Sequence, residues 1–227
     1  MWERFAERAS VALGEDEWPD EHGWPVDEGD GAVGDAHHHE WLETFDGPGA
    51  DRYEAHSRWL RGMHRRAADR VAALTPPGAR VLDVGCGPGR LLAELAARRP
   101  DTALTGVDVS ERMVEIATAR LARVAPGAGV LVGDVAALPL PDASADVVTA
   151  VLTAHHWEDV RRGVAEMARV LAPGGRVVVV ELLEARGRVT AAMRATFGEG
   201  AVEAGRAWVL GLPLLARLEA GPDRTAD

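Results

Sequence analysis

A chain of 227 residues, 47% of them hydrophobic, can bury one α/β core with a little chain to spare, and its single cysteine, Cys86, excludes an internal disulfide and a cysteine-only metal cluster. No run of about 18 apolar residues occurs and the amino-terminus lacks a basic-then-apolar signal pattern, so the sequence predicts a cytoplasmic protein without a membrane span. The formal charge of −11 sits in residues 1–50, where 14 acids face 2 arginines, while residues 51–227 hold 22 acids and 23 arginines; an acidic segment of this kind argues against nucleic acid as a partner.

That asymmetry divides the chain into an acidic extension, 1–50, and a domain, 51–227. Residues 2–13 have the spacing of a short amphipathic helix, with Trp2, Phe5, Ala9, Ala12 and Leu13 on one side. Residues 14–49 are rich in Asp, Glu, Gly and Pro, yet Trp18, Trp24 and Trp41 are frequent for a disordered tail. Two readings stand: a lid or pocket wall lying across the domain, and a loosely ordered acidic extension that serves solubility. His37, His38, His39 and Glu40 read as a polar surface turn, because adjacent side chains of an extended segment point to opposite sides, and no metal site is expected. All 25 basic residues are arginine and only one isoleucine occurs, a coding bias whose chemical consequence is the absence of any lysine nucleophile.

From Arg52 a helical pattern carries Tyr53, His56, Trp59, Leu60, Met63 and His64 on one face and runs through Val71 and Leu74 to the stop at Pro76 and Pro77. Val81, Leu82 and Val84 then form the apolar run of a buried parallel strand, ending in a turn that holds Gly85, Gly87 and Gly89. A helix follows, with Leu91, Leu92, Leu95 and Ala96 on one face. A second strand over residues 104–109 places Asp108 one βα unit after the turn, where a carboxylate can accept two ribose hydroxyls.

The details of the turn choose between ligands. In the dinucleotide fingerprint the last glycine falls three positions after the second, where Arg90 stands, and Asp83 beside the turn repels a pyrophosphate while suiting an ammonium group. A phosphate loop of the G-x-x-x-x-G-K type needs a lysine. The pattern therefore favours a nucleoside without phosphates.

Further along, a helix is expected over 111–124, strands over 130–132 and 145–152, a helix over 158–171 stopped by Pro173, Gly174 and Gly175, and a strand over 176–181. Residues 188–197 read as a short helix, and 202–209 with 213–220 as an antiparallel hairpin across Gly211. His155 and His156, just past the fourth strand, are the candidate bases, since imidazole titrates near neutrality; His-His-Trp also suits the capping and packing of the next helix.

Five stretches carry a resemblance: Val-Leu-Asp-Val-Gly-Cys-Gly-Pro-Gly at 81–89, Gly-Val-Asp-Val-Ser at 106–110, Gly133-Asp134-Val135 with the Leu-Pro-Leu-Pro-Asp run at 138–142 and Ala-Asp-Val-Val at 145–148, His155-His156-Trp157, and the run from Arg169 through Gly174-Gly175 into Glu181. In this order and spacing the chain resembles class I S-adenosylmethionine-dependent methyltransferases, in the broad type 11 group that includes quinone-biosynthesis C-methylases. The resemblance implies a doubly wound, Rossmann-like, mostly parallel α/β sheet of order 3-2-1-4-5 with an antiparallel carboxy-terminal hairpin. It implies S-adenosyl-L-methionine as cofactor, with Asp83 and the turn of Gly85, Cys86, Gly87 and Gly89 at the methionine end. Asp108 would take the ribose, Val109 and Met113 would wall the adenine, and Asp134 and the Val135 N–H would bond its edge. The helix before the first strand would help close the site; its Tyr53 reads either as core or interdomain packing or as an aromatic face over the cofactor's sulfonium. The expected activity is in-line methyl transfer to a small-molecule acceptor. A non-catalytic binding protein that holds a partner through its acidic segment is the alternative, and a nicotinamide oxidoreductase is disfavoured by Arg90 and Asp83.

Overall fold

A computed structural model describes residues 47–56, 60–183, 185–209 and 212–221. The expected helix at 2–13, the segment 14–46 with its tryptophans, and the histidine run 37–39 lie outside the described residues.

In chain order the elements are α1 (Gly47–His56), α2 (Arg61–Leu74), β1 (Arg80–Val84), α3 (Arg90–Arg98), β2 (Ala103–Asp108), α4 (Glu111–Val124), β3 (Gly129–Val132), β4 (Ala145–Val151), α5 (Val160–Val170), β5 (Leu171–Leu182), α6 (Arg186–Phe197), β6 (Val202–Val209) and β7 (Leu212–Ala220). One seven-stranded sheet holds them in the order β3-β2-β1-β4-β5-β7-β6. The first five strands pair in parallel, and β7 pairs antiparallel with both β5 and β6. The expected sheet order and closing hairpin are both present.

Why these runs make a two-sided sheet is visible in their alternation. Leu82, Val84, Val148, Ala150, Val177 and Val179 enter one apolar cluster, with Val160, Val164 and Met167 of α5 and Val189 and Met193 of α6. Val81, Val147, Val151, Val178 and Val180 enter the other, with Met63 and Val71 of α2 and Leu91, Leu92 and Leu95 of α3. A strand buried on both faces has no polar half, which is why its sequence reads as a continuous apolar run. Each such Val or Leu contributes about 1.5–3 kcal/mol by leaving water. Helix starts follow local chemistry: the Ser110 hydroxyl accepts the Met113 N–H at the head of α4, and Asp159 accepts the Arg162 N–H at the head of α5.

Three boundaries differ from the sequence expectation. Over the helix expected from Arg52 to Leu74 the described residues give α1, which starts earlier, at Gly47, and runs to His56, and α2 from Arg61 to Leu74. Helix α5 stops at Val170 rather than at 171, and Pro173, Gly174 and Gly175 lie inside β5. The reason is pairing: Ala145 already pairs with Leu171 and Val147 pairs with Arg176, so the Pro-Gly-Gly stretch is looped out as an irregularity of the ladder.

Ala143, exposed in the turn before β4, has φ of 53°, and its N–H is held by the Arg169 carbonyl at 3.0 Å. An L side chain in the left-handed region costs roughly 1–2 kcal/mol, part of which glycine returns as unfolded-state entropy. Ala143→Gly is therefore expected to raise stability by about 0.5–1 kcal/mol, read as a higher urea midpoint at unchanged slope. A lower midpoint would show that the turn is not strained.

Candidate cofactor and acceptor site

The carboxyl ends of β1, β2, β3 and β4 meet on one rim of the sheet. β1 delivers Asp83, 2% exposed, whose Oδ1 accepts the Thr149 hydroxyl of β4 at 2.8 Å. Burial pushes the Asp83 carboxyl up to about 7, the Thr149 bond opposes the rise, and the Asp108 charge adds to it.

The chain then turns through Gly85, Gly87 and Gly89, with φ of 64°, 49° and 73°. The three are not equivalent. A Cβ at Gly85 would stand 2.1 Å from the Thr153 Oγ1, and one at Gly89 3.0 Å from the Ala117 Cβ, whereas one at Gly87 meets nothing within 4 Å. Two glycines let backbone pack on neighbouring elements; Gly87 alone offers bare backbone to open space. Cys86 points inward: it is buried, its Sγ would stand 2.8 Å from a Cβ at Gly106, and burial pushes its thiol well above the usual range. The Cys86 N–H donates to the Val107 carbonyl at 3.0 Å and its carbonyl accepts the Gly89 N–H at 3.0 Å.

Asp108 ties this turn to the next strands. Its Oδ2 accepts the Gly87 N–H at 2.7 Å and its Oδ1 the Ser110 N–H at 3.0 Å, which fixes the plane of the carboxylate. The Asp108 carbonyl accepts the Gly133 N–H at 2.9 Å, and so draws the segment after β3 alongside. There Asp134 accepts the Ala136 N–H at 2.8 Å and opens a one-turn helix over Val135–Ala137, whose first N–H, that of Val135, has no partner within the helix. Val109, 48% exposed, gives an open apolar surface beside Asp108, while Met113, 1% exposed, is on the buried face of α4. Of the expected site residues, Asp83, Gly85, Gly87, Gly89, Asp108, Val109, Asp134 and Val135 are brought together on this rim, and Cys86 and Met113 lie behind it.

Helix α1 closes over the turn. Arg90 donates to both the carbonyl and the Oε2 of Glu54 at 2.8 Å, and Arg120 bonds the other Glu54 oxygen and the Pro88 carbonyl. Asp51 of the same helix pairs with Arg112 at 2.8 Å. Tyr53, half-buried between these bonds, has its phenol pushed up to about 12, chiefly by burial, with the Arg90 charge opposing and the Asp108 and Glu54 charges reinforcing. Arg90 is therefore both a departure from the dinucleotide pattern and the anchor of this cover.

On the other side of Gly85 the chain leaves β4 through Leu152, at φ of 57°, a costly conformation for a leucine that turns residues 153–156 toward the rim. Thr153 packs on Gly85, and Ala154–His156 forms a one-turn helix. His155 is 24% exposed and its Nδ1 lies 2.8 Å from the Oε1 of Glu181, a side chain 0% exposed at the end of β5. Its own N–H donates to Glu181 Oε2 at 3.1 Å, and the Leu182 N–H donates to Oε1 at 2.7 Å. The His156 ring lies 3.8 Å from that of His155, and burial first, then the neighbouring His155, holds its pKa well below the usual range. Sequence reasoning assigned no role to Thr149, Thr153, Glu54 or Glu181. Only Glu181 carried a signal, as an acid directly after the four valines 177–180 of β5.

The sheet order, with its antiparallel hairpin beyond β5, is that of the Rossmann-like methyltransferase fold. Within it, residues 82–179 match the family described as a methyltransferase domain. A demethylmenaquinone methyltransferase of Deinococcus radiodurans is 38% identical over 137 residues, which is 58% of this chain and 56% of that protein. The chain spans about half the length of the curated relatives it matches. Among solved structures, a TehB-like S-adenosylmethionine-dependent methyltransferase of Corynebacterium glutamicum superposes with a TM-score of 0.59 at 20% identity, covering 76% of this chain and 97% of that one, a likeness of fold. A (4+2)-cyclase superposes with a TM-score of 0.53 at 28% identity, covering 62% of this chain and 57% of that one. No helix among the described residues is long and apolar enough to cross a membrane, and no group of three or more His, Cys, Asp or Glu residues among them fits a metal ion.

Proposed function

We propose that this protein is an S-adenosyl-L-methionine-dependent methyltransferase acting on a small-molecule acceptor. The observation that carries the reading is the open face at Gly87, whose N–H is pinned by Asp108 while a buried acid, Asp83, stands behind the same turn. The residues fit the cofactor's chemistry: a carboxyl poised to ionise suits an ammonium, a fixed carboxylate suits two ribose hydroxyls, and the exposed Val109 suits the adenine face. Asp134 and the Val135 N–H would take the adenine edge, and Tyr53 under α1 would lie toward the sulfonium, which an aromatic face attracts. When bound, the cofactor supplies a methyl group already activated for displacement. The chain's part would then be to hold an acceptor in line and exclude water, a task that a cover anchored by Glu54 on Arg90 and Arg120 would serve.

Calorimetry with S-adenosylhomocysteine tests the cofactor, and a metabolite extract incubated with radiolabelled S-adenosylmethionine tests transfer. Heat with the first and labelled product from the second are expected; binding without product would overturn the transferase reading. Asp108→Ala is expected to weaken S-adenosylhomocysteine by about 2–3 kcal/mol, the scale of charge-assisted hydrogen bonds. An unchanged dissociation constant would remove Asp108 from the ribose site.

A further inference from the structure

We infer that Thr149 is a positioning residue of the cofactor's ammonium site: its hydroxyl, standing between the Asp83 carboxyl and the Leu82 carbonyl, holds Asp83 in the charged and oriented form that the ligand requires. The inference rests on the methyltransferase reading and deepens it, since it names what makes a buried acid usable there.

Thr149 is the one polar side chain in the run from Val147 to Val151, and it is 0% exposed. A valine would fill the same space without a buried hydroxyl to satisfy, so packing alone does not call for a threonine. Its register does. β1 and β4 pair in parallel with Asp83 opposite Thr149, which puts both side chains on the face of the sheet toward α2 and α3. The hydroxyl lies 2.8 Å from Asp83 Oδ1 and 3.3 Å from the Leu82 carbonyl. Among the described residues no other side chain bonds the Asp83 carboxyl, so Oδ2 is left for an incoming ammonium.

A hydroxyl has one proton and two lone pairs, so it can serve Asp83 in either state. Against the carboxylate its proton points to Oδ1 in a charge-assisted bond. Against the neutral acid, the Asp83 proton goes to the Thr149 oxygen and the hydroxyl proton turns to the Leu82 carbonyl. Ionisation therefore moves one proton to water and rotates one hydroxyl, and no side chain has to travel. The charged and titratable groups that face Asp83 are Asp108, at the end of β2, and Cys86, in the turn. The Asp108 carboxylate opposes a second negative charge, as burial does, and the Cys86 thiol is kept neutral by its own burial. The Thr149 hydroxyl is the one influence that favours the charge. Without it Asp83 would stay largely protonated at neutral pH and meet the ammonium with no charge.

Thr149→Val keeps the branched shape and removes the hydroxyl; Thr149→Ser keeps the hydroxyl. Calorimetry with S-adenosylhomocysteine across about pH 5.5–9 is expected to show the rising limb of affinity moved up by about 1–2 pH units in Thr149→Val, the equivalent of one lost hydrogen bond to a charged group. Near pH 7 its affinity should be about tenfold below the wild type, and by about pH 9 within threefold of it, because the carboxyl then ionises in both. Thr149→Ser should follow the wild-type profile. An unshifted limb in Thr149→Val, or a loss that is the same at every pH or that serine does not repair, would overturn the positioning role. Urea midpoints of the ligand-free proteins give an arm that needs no cofactor. Stability is lost as pH rises through the folded Asp83 titration, so moving that titration up widens the gap between wild type and Thr149→Val over about pH 7–9. In an Asp83→Asn background the gap should not change with pH. A gap flat with pH in the natural background would overturn the coupling of Thr149 to Asp83. If no variant gives heat with S-adenosylhomocysteine at any pH, the cofactor reading itself fails, and the ligand-free gap alone decides whether Thr149 sets the state of Asp83.

Discussion

S-adenosylhomocysteine should bind about tenfold more tightly for each unit of pH gained below pH 7 and then level off, because in the proposed site Asp83 has to be ionised to meet the ligand's ammonium group. In the free protein its carboxyl titrates near 7, since burial at 2% exposure outweighs the single Thr149 bond. The sign on stability is opposite. An unfolded aspartate titrates near 3.9, so between about pH 4 and 7 the folded state holds the extra proton and stability falls as pH rises, by up to roughly 4 kcal/mol across the window. Asp83→Asn keeps an acceptor for Thr149 and abolishes that loss. It is expected to match the wild type at pH 4, to exceed it by a few kcal/mol at pH 8, and to bind S-adenosylhomocysteine at least 30-fold more weakly, the scale of a lost charge-assisted bond. Urea titrations and calorimetry at four pH values measure both. Affinity flat across pH 5.5–8.5 would remove Asp83 from the ammonium site.

The same acid illustrates what a sequence can carry. Asp83 and Asp108 were legible because each terminates an apolar run beside a turn, and a parallel sheet places all such strand ends on one rim. The sheet itself was legible for the same reason: its strands are buried on both faces, so they read as unbroken apolar runs. What stayed hidden was set by contacts between distant positions. The helical pattern at 52–74 says nothing of the clamp of Glu54 by Arg90 and Arg120, from α3 and α4, which holds α1 on the turn. Pro173-Gly174-Gly175 looks like a helix stop, yet Leu171 is already paired with Ala145. His155 and His156 share one turn, and only the Glu181 carboxylate, 26 residues on, separates an oriented imidazole from a buried one.

The glycines of the turn carry the sharpest contrast. Gly85→Ala places a methyl 2.1 Å from the Thr153 Oγ1 and 2.8 Å from its Cβ, so rotation of the threonine cannot relieve the clash, and the position is left-handed as well, with φ of 64°. Backbone strain of about 1–2 kcal/mol and overpacking of about 1–3 kcal/mol together suggest roughly 3 kcal/mol of destabilisation, or a Tm about 6–12 °C lower for a chain of this size. Gly87→Ala shares only the strain, since its Cβ meets nothing within 4 Å, and should lower Tm by about 2–8 °C. Its methyl, however, would stand where the ligand has to approach, so S-adenosylhomocysteine affinity should fall at least tenfold. Two alanines, two positions apart, thus separate folding from binding in one turn. If Gly87→Ala bound as the wild type does while Gly85→Ala lost only stability, the turn would be a packing device, and the cofactor would have to lie on some other part of the rim.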